Sequence, residues 1–308
     1  MSNNIETQST SNAAGGIPVA TSISRARTIG SKAILSIVIL ACSFLVFLLG
    51  PNYSTLFPTN GNSIYAASVS AVFLIAALLF KRSQKLAKFW PVAYAFFVAS
   101  IVTLVGDLFG ARQVDFVRFL GFSPDSNPGM GLGKLYETLL AVVPILALTL
   151  LSGADLKSLY LTKGNINYKW GFGIGALFVV NYLTSVLIFF STGYEMSKLG
   201  SAILWGMVFA FCNSMLEELW VRGLFVKKLL PLVGVVGTIA LTSIWFGAMH
   251  FLSVAFMPAA VVPIFVFNAL TMGIGCGIIM VKTDSIWGAY LIHAAADLFL
   301  FIAMLAIH

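Results

Sequence analysis

Beyond about residue 30, long apolar runs alternate with short polar breaks. The runs cover 33–50, 63–80, 89–110, 135–152, 170–191, 201–229, 233–256, 261–281 and 286–306. About 20 apolar residues in a helix cross the ~30 Å hydrocarbon core of a bilayer. The runs are too uniformly apolar for barrel strands, which alternate in polarity. In lipid every backbone group must be paired internally, so helices remain. The breaks carry turn chemistry at Pro51-Asn52, Asn60-Gly61-Asn62, Ser123 to Gly129 and Lys163-Gly164-Asn165. The pattern predicts an all-α, polytopic transmembrane helical bundle of about eight or nine spans. Residues 1–30 are rich in Ser, Thr, Asn, Ala and Gly and are expected to form a disordered polar tail.

Composition sharpens this picture. Of 308 residues, 59% are hydrophobic and 9% charged, and the mean hydropathy is +0.96. A soluble fold has too little polar surface to cover that much apolar material. A cytosolic enzyme, a nucleic-acid binder and a disordered protein are thereby excluded, and the expected surroundings are a lipid bilayer. The net charge of +7 reflects loop lysines and arginines. With the N-terminus inside, thirteen basic residues fall in inner segments: Arg25, Arg27, Lys32, Lys81, Arg82, Lys85, Lys88, Lys157, Lys163, Lys169, Lys227, Lys228 and Lys282. Only Arg112, Arg118, Lys134 and Lys198 fall outside. That asymmetry predicts a cytoplasmic N-terminus. Cys42, Cys212 and Cys276 lie in apolar runs without metal-ligand spacing and read as packing residues.

The two halves differ in intramembrane charge. In the first five runs Asp107 and Glu137 lie near the ends. Three of the last four runs enclose Glu217, Glu218, Arg222, His250, His293 and Asp297. A charge at mid-bilayer costs about 2.5–3.5 kcal/mol on insertion scales, so these six are functional candidates. Glu218 and Arg222 are i and i+4 and can pair on one helix face. Glu217 is about 140° round the helix from Arg222, which leaves it to face elsewhere as a general base. A bland alternative is a structural salt bridge involving both acids. His293 and Asp297 are also i and i+4, so the carboxylate could orient the imidazole. Gly273 and Gly277 form a small-residue pair that reads as helix packing.

Together these residues resemble the CPBP family, which comprises CAAX prenyl proteases of the Rce1 type and the Abi bacteriocin-processing and immunity proteins. The carrying motifs are Glu217-Glu218-x-x-x-Arg222, Phe246-x-x-x-His250 and His293-x-x-x-Asp297, in order on successive helices, within roughly residues 205–305. The chain then divides into the tail, N-terminal membrane helices of unknown role over 31–195, and CPBP-like catalytic helices over 196–308. The resemblance implies a glutamate-dependent intramembrane endopeptidase acting on a membrane-associated peptide or protein. Glu217 would activate water, His250 would position it or move a proton, and His293 and residue 297 would stabilise the oxyanion. Glu218, Arg222 and Phe246 would shape the site. The family often carries Asn where this chain has Asp297; an ionised Asp only accepts hydrogen bonds, so Asp297 is expected to orient His293. No metal is expected, with zinc as the alternative, since two His and a carboxylate suit it. Rival readings are a non-catalytic scaffold or immunity protein of the same fold and an ion-coupled transporter. With Pro231 taken as the turn between the sixth and seventh runs, Glu217 and His250 come out level and His293 displaced by several angstroms.

Overall fold

The computed structural model describes residues 19–51, 61–165, 196–253 and 262–306, with single positions 175 and 259. The helices are α1 Val19–Ser43, continued by a π turn Phe44–Leu48, then α2 Gly61–Arg82, α3 Trp90–Phe109, α4 Gln113–Phe119 and α5 Asn127–Leu151. After them come α6 Met196–Glu217, a π turn Glu218–Gly223, α7 Val226–Ser253, α8 Val262–Thr283 and α9 Trp287–Ala306. No strand occurs among the described residues. Seven helical segments are long and apolar enough to cross a membrane, and Trp287–Ile302 is a shorter apolar helix. These eight correspond to eight of the nine expected runs; the remaining one, 170–191, lies outside the described residues apart from position 175.

Two starts differ from the sequence pattern. α1 reaches back to Val19, inside the stretch expected to be a polar tail; an apolar helix, once nucleated, propagates into flanking residues at little cost. Residues 1–18 lie outside the described part. α5 begins at Asn127 rather than near 135, because the Ser123–Gly129 break serves as its start: the Ser126 hydroxyl accepts from the Gly129 N–H, and Pro128 occupies the first turn.

The last four helices form an antiparallel set. Across α6 and α7, Phe225 meets Trp245 at 5.2 Å between ring centroids. Arg222 lies 4.3 Å from the Phe246 ring centre, and Glu217 lies 3.8 Å from His250. These pairs are symmetric about Gly234, which has φ 78° and ψ 177°. The chain therefore reverses at Gly234, not at Pro231, which sits within α7. Only glycine adopts that φ without strain. α8 returns along α7, with Gly247 against Leu270, Gly273 against Ser243 and Gly277 against Ile239. α9 runs back beside α6, with Asn213 bonded to Asp297 and Phe209 stacked on Phe301.

The reversal at Gly234 also corrects the expected displacement of His293. Lys227 bonds Asp284 at 2.9 Å, so the α8–α9 turn lies level with Lys227, about 10 Å short of the Gly234 tip at 1.5 Å per residue. Measured from that common level, Glu217 and His293 are about 15 and 14 Å up their helices. The two hairpins are offset by two helical turns, and the side chains meet.

The same end gathers the lysines. Lys227 and Lys228 donate to the carbonyls of Lys157 and Ser158. Ile286 N–H donates to Tyr160 O, and Asn165 N–H to Thr283 O at 2.7 Å. Burial and the neighbouring Asp284 carboxylate push the Tyr160 phenol up, so its ring meets Lys227 as a neutral face, 4.5 Å away. The Tyr94 hydroxyl donates to Leu148 O, which places the start of α3 at this end too. α5 and α6 run parallel, with Gly131 against Trp205 and the Thr138 hydroxyl donating to Cys212 O.

Candidate active site

An aromatic cluster fixes the wall behind the charged residues. Phe47 of the first π turn packs on Trp220, Phe225 and Trp245 with centroids 5.1–5.9 Å apart, and Phe96 of α3 lies 4.8 Å from Phe225. The Trp220 indole donates to Ala99 O at 3.2 Å. The π turn that follows α6 is thus held by α1 and α3. Its Leu224 N–H reaches back five residues to Leu219 O, the wide ladder of a π turn, a feature frequent at functional sites. Every residue from Glu218 to Gly223 is buried.

The two adjacent acids divide as their helical positions require. Glu218 pairs with Arg222, both side chains at 0% exposure, and the guanidinium rests over Phe246. The other Glu218 contact is with His293, whose Nδ1–H donates to Oε1 at 2.7 Å. Glu217 turns away from that network. Its Oε2 is buried with no hydrogen-bond partner among the described residues.

Both imidazoles are held by one nitrogen and present the other to Glu217. His250 Nδ1–H donates to Phe246 O at 2.9 Å, which leaves Nε2 3.8 Å from Glu217 Oε2. His293 is pinned through Nδ1 to Glu218, and its Nε2 lies 3.6 Å from Glu217 Oε2. An acceptor at Nδ1 fixes the tautomer, so Nε2 is the nitrogen that each ring presents to Glu217. Phe246 stands edge-on to His293 and tilted against His250; Phe265 stacks on the outer side of His250.

Asp297 is placed differently from the expectation. It lies 3.6 Å from His293 Nε2, beyond hydrogen-bond range. Instead Asp297 Oδ2 accepts from Asn213 Nδ2 at 2.9 Å. The partner that orients His293 is therefore Glu218. Spacing of i and i+4 puts two groups on one face but does not say whether another helix offers a closer partner.

A cavity of about 300 Å³ ends on Glu217. Its lining runs from Glu217, Asn213 and Trp220 past Glu137 and Lys134 to Gly110 and Gln113, at the end of the bundle away from the lysines. One wall is backbone-rich, with Gly50, Gly106 and Gly110. Within it Lys134 pairs with Glu137, and Ser63 donates to Asp107.

Residues 199–299 match the family model of the type II CAAX prenyl endopeptidase Rce1-like proteins. The C-terminal third of the chain is Rce1-like. No curated protein and no solved structure matches the chain. With its membrane-crossing helices, the protein is an integral, multi-pass membrane protein. The Rce1-like segment covers α6 to α9 and all of the motif residues, Glu217, Glu218, Arg222, Phe246, His250, His293 and Asp297. It does not cover the opposing wall of the cavity, which α3 and α5 supply. Asn213 is a polar residue that the motifs pass over; the signal for it was an amide one helical turn before Glu217 in an otherwise apolar run. For the zinc alternative, no group of three or more His, Cys, Asp or Glu among the described residues is disposed to hold a metal ion.

Proposed function

We propose that this protein is a glutamate-dependent intramembrane endopeptidase whose substrate is a membrane-associated peptide or protein. The observation that carries the reading is the Glu217 carboxylate. Its Oε2 is buried without a hydrogen-bond partner among the described residues, the residue lines a cavity, and two imidazole Nε2 atoms flank it at 3.6 and 3.8 Å. Such a carboxylate is placed to take a proton from a water in the cavity. The water oxygen then bonds the carbonyl carbon of the peptide, the carbonyl π pair moves onto its oxygen, and on collapse the C–N bond breaks. The leaving amine receives its proton from Glu217 or through His250. The Rce1-like match supports the reaction class. The polar lining supports entry of an extended polypeptide from the end opposite the lysines, and the lysine end is the cytoplasmic one.

The test compares new protein termini by mass spectrometry in membranes carrying wild type or Glu217→Gln at matched expression. Termini that depend on Glu217 are expected, with a loss of about 10²–10⁴-fold in the variant, the usual span for a general base. If both membranes yield the same termini under broad substrate coverage, the peptidase reading gives way to a non-catalytic scaffold.

A further inference from the structure

The proposed reaction generates a negative oxygen; the Nε2–H of a protonated His293 supplies one donor for it, and the ionised carboxylates supply none. Glu217 and Asp297 are acceptors when ionised. Glu218 and Arg222 pair with each other at 0% exposure and do not line the cavity. Of the polar side chains that the Rce1-like segment contributes to the cavity surface, two are candidates to touch a peptide carbonyl: Glu217 and Asn213. Trp220 is also there, but its indole N–H goes to Ala99 O. Asn213 stands one helical turn before Glu217, on the same face of α6. A side-chain amide carries two N–H groups. One donates to Asp297 Oδ2 at 2.9 Å, which fixes the amide orientation and directs NH₂, rather than C=O, toward that carboxylate. An amide needs no proton to remain a donor. Fixed donors aimed at a developing oxyanion are among the largest contributions to acyl-transfer catalysis.

We propose that Asn213 is a catalytic residue, the amide donor to the oxyanion, held in place by Asp297. The inference rests on the peptidase reading. In it Asp297 orients the donor and touches no reacting atom.

The experiment uses the full-length protein in detergent or liposomes and an internally quenched peptide spanning the bond mapped by the terminus comparison. Asn213→Ala is expected to lower kcat by about 10²–10³-fold, the usual effect of losing one oxyanion donor, with KM changed by less than about 3-fold. Asn213→Ala/Asp297→Asn returns an amide to the adjoining position and is expected to recover about tenfold in kcat. A purely structural Asn213 would instead lower the melting temperature and show no such recovery. If Glu217→Gln is inactive while Asn213→Ala keeps wild-type kcat, or if the loss lies in KM alone, the Asn213 role is overturned and the peptidase reading stands. If wild type shows no Glu217-dependent turnover, both fall.

Discussion

Glu217 and Glu218 are neighbours in sequence with opposite surroundings: one is locked between a guanidinium and an imidazole, the other faces a cavity. Removing one partner of a buried pair leaves an uncompensated charge, at a cost of about 3–5 kcal/mol. Arg222→Met should therefore lower the melting temperature in detergent sharply. Glu218→Gln/Arg222→Met should recover much of that loss, since the amide oxygen still accepts from His293. A double variant no more stable than the single one would show that the guanidinium acts mainly by packing on Phe246. At this scale the ionisable residues were legible in the sequence because a charge within an apolar run is costly and conspicuous. Asn213 was not, since a neutral amide hardly alters the apolar pattern. The hydrogen-bond partner of His293 was not legible either, because Glu218 lies 75 positions away, while Asp297 stands within ion-pair distance at 3.6 Å.

The helices meet through small residues where chemistry demands closeness. A Cβ at Gly273 would stand 3.0 Å from Ser243 Cα. Gly273→Leu should force α7 and α8 apart, at about 1–3 kcal/mol for overpacking. Because His250 rides on α7, turnover should fall as well, read by a thermal melt and an activity assay on the same preparation. The lysine-end clasp offers a second check. Gly164 has φ +61°, and a Cβ there would meet Thr283 O at 2.2 Å, so Gly164→Ala should destabilise where a change at open Gly30 does not. The runs and most breaks were legible from polarity alone. The exact point of reversal between Glu217 and His250 was not: the sequence offers two breakers, Pro231 and Gly234, and only the backbone angles distinguish them. Pro231 lies three residues before Gly234, so the helix it interrupts ends within a turn.

Across the molecule the basic loops collect at one end, where Lys157, Lys227, Lys228 and Asp284 interlock. With that end cytoplasmic, a cysteine at exposed Gln84 should label only from the inside and one at exposed Ser123 only from the outside, in a chain lacking Cys42, Cys212 and Cys276. Impermeant maleimide on intact cells and inverted vesicles reads this directly; the reverse pattern would invert the proposed orientation. What polarity could not reveal is which of the first helices would face Glu217, because nothing in an apolar run says which neighbour it will choose. The structure assigns that place to α3 and α5, whose Gly106 and Glu137 close the cavity from the side that the Rce1-like match does not reach. If the chain is such a peptidase, admission and cutting are written in separate halves of the gene product. Under the proposed reading, drift in the first half can retune which polypeptides are let in while the bond-breaking groups stay untouched.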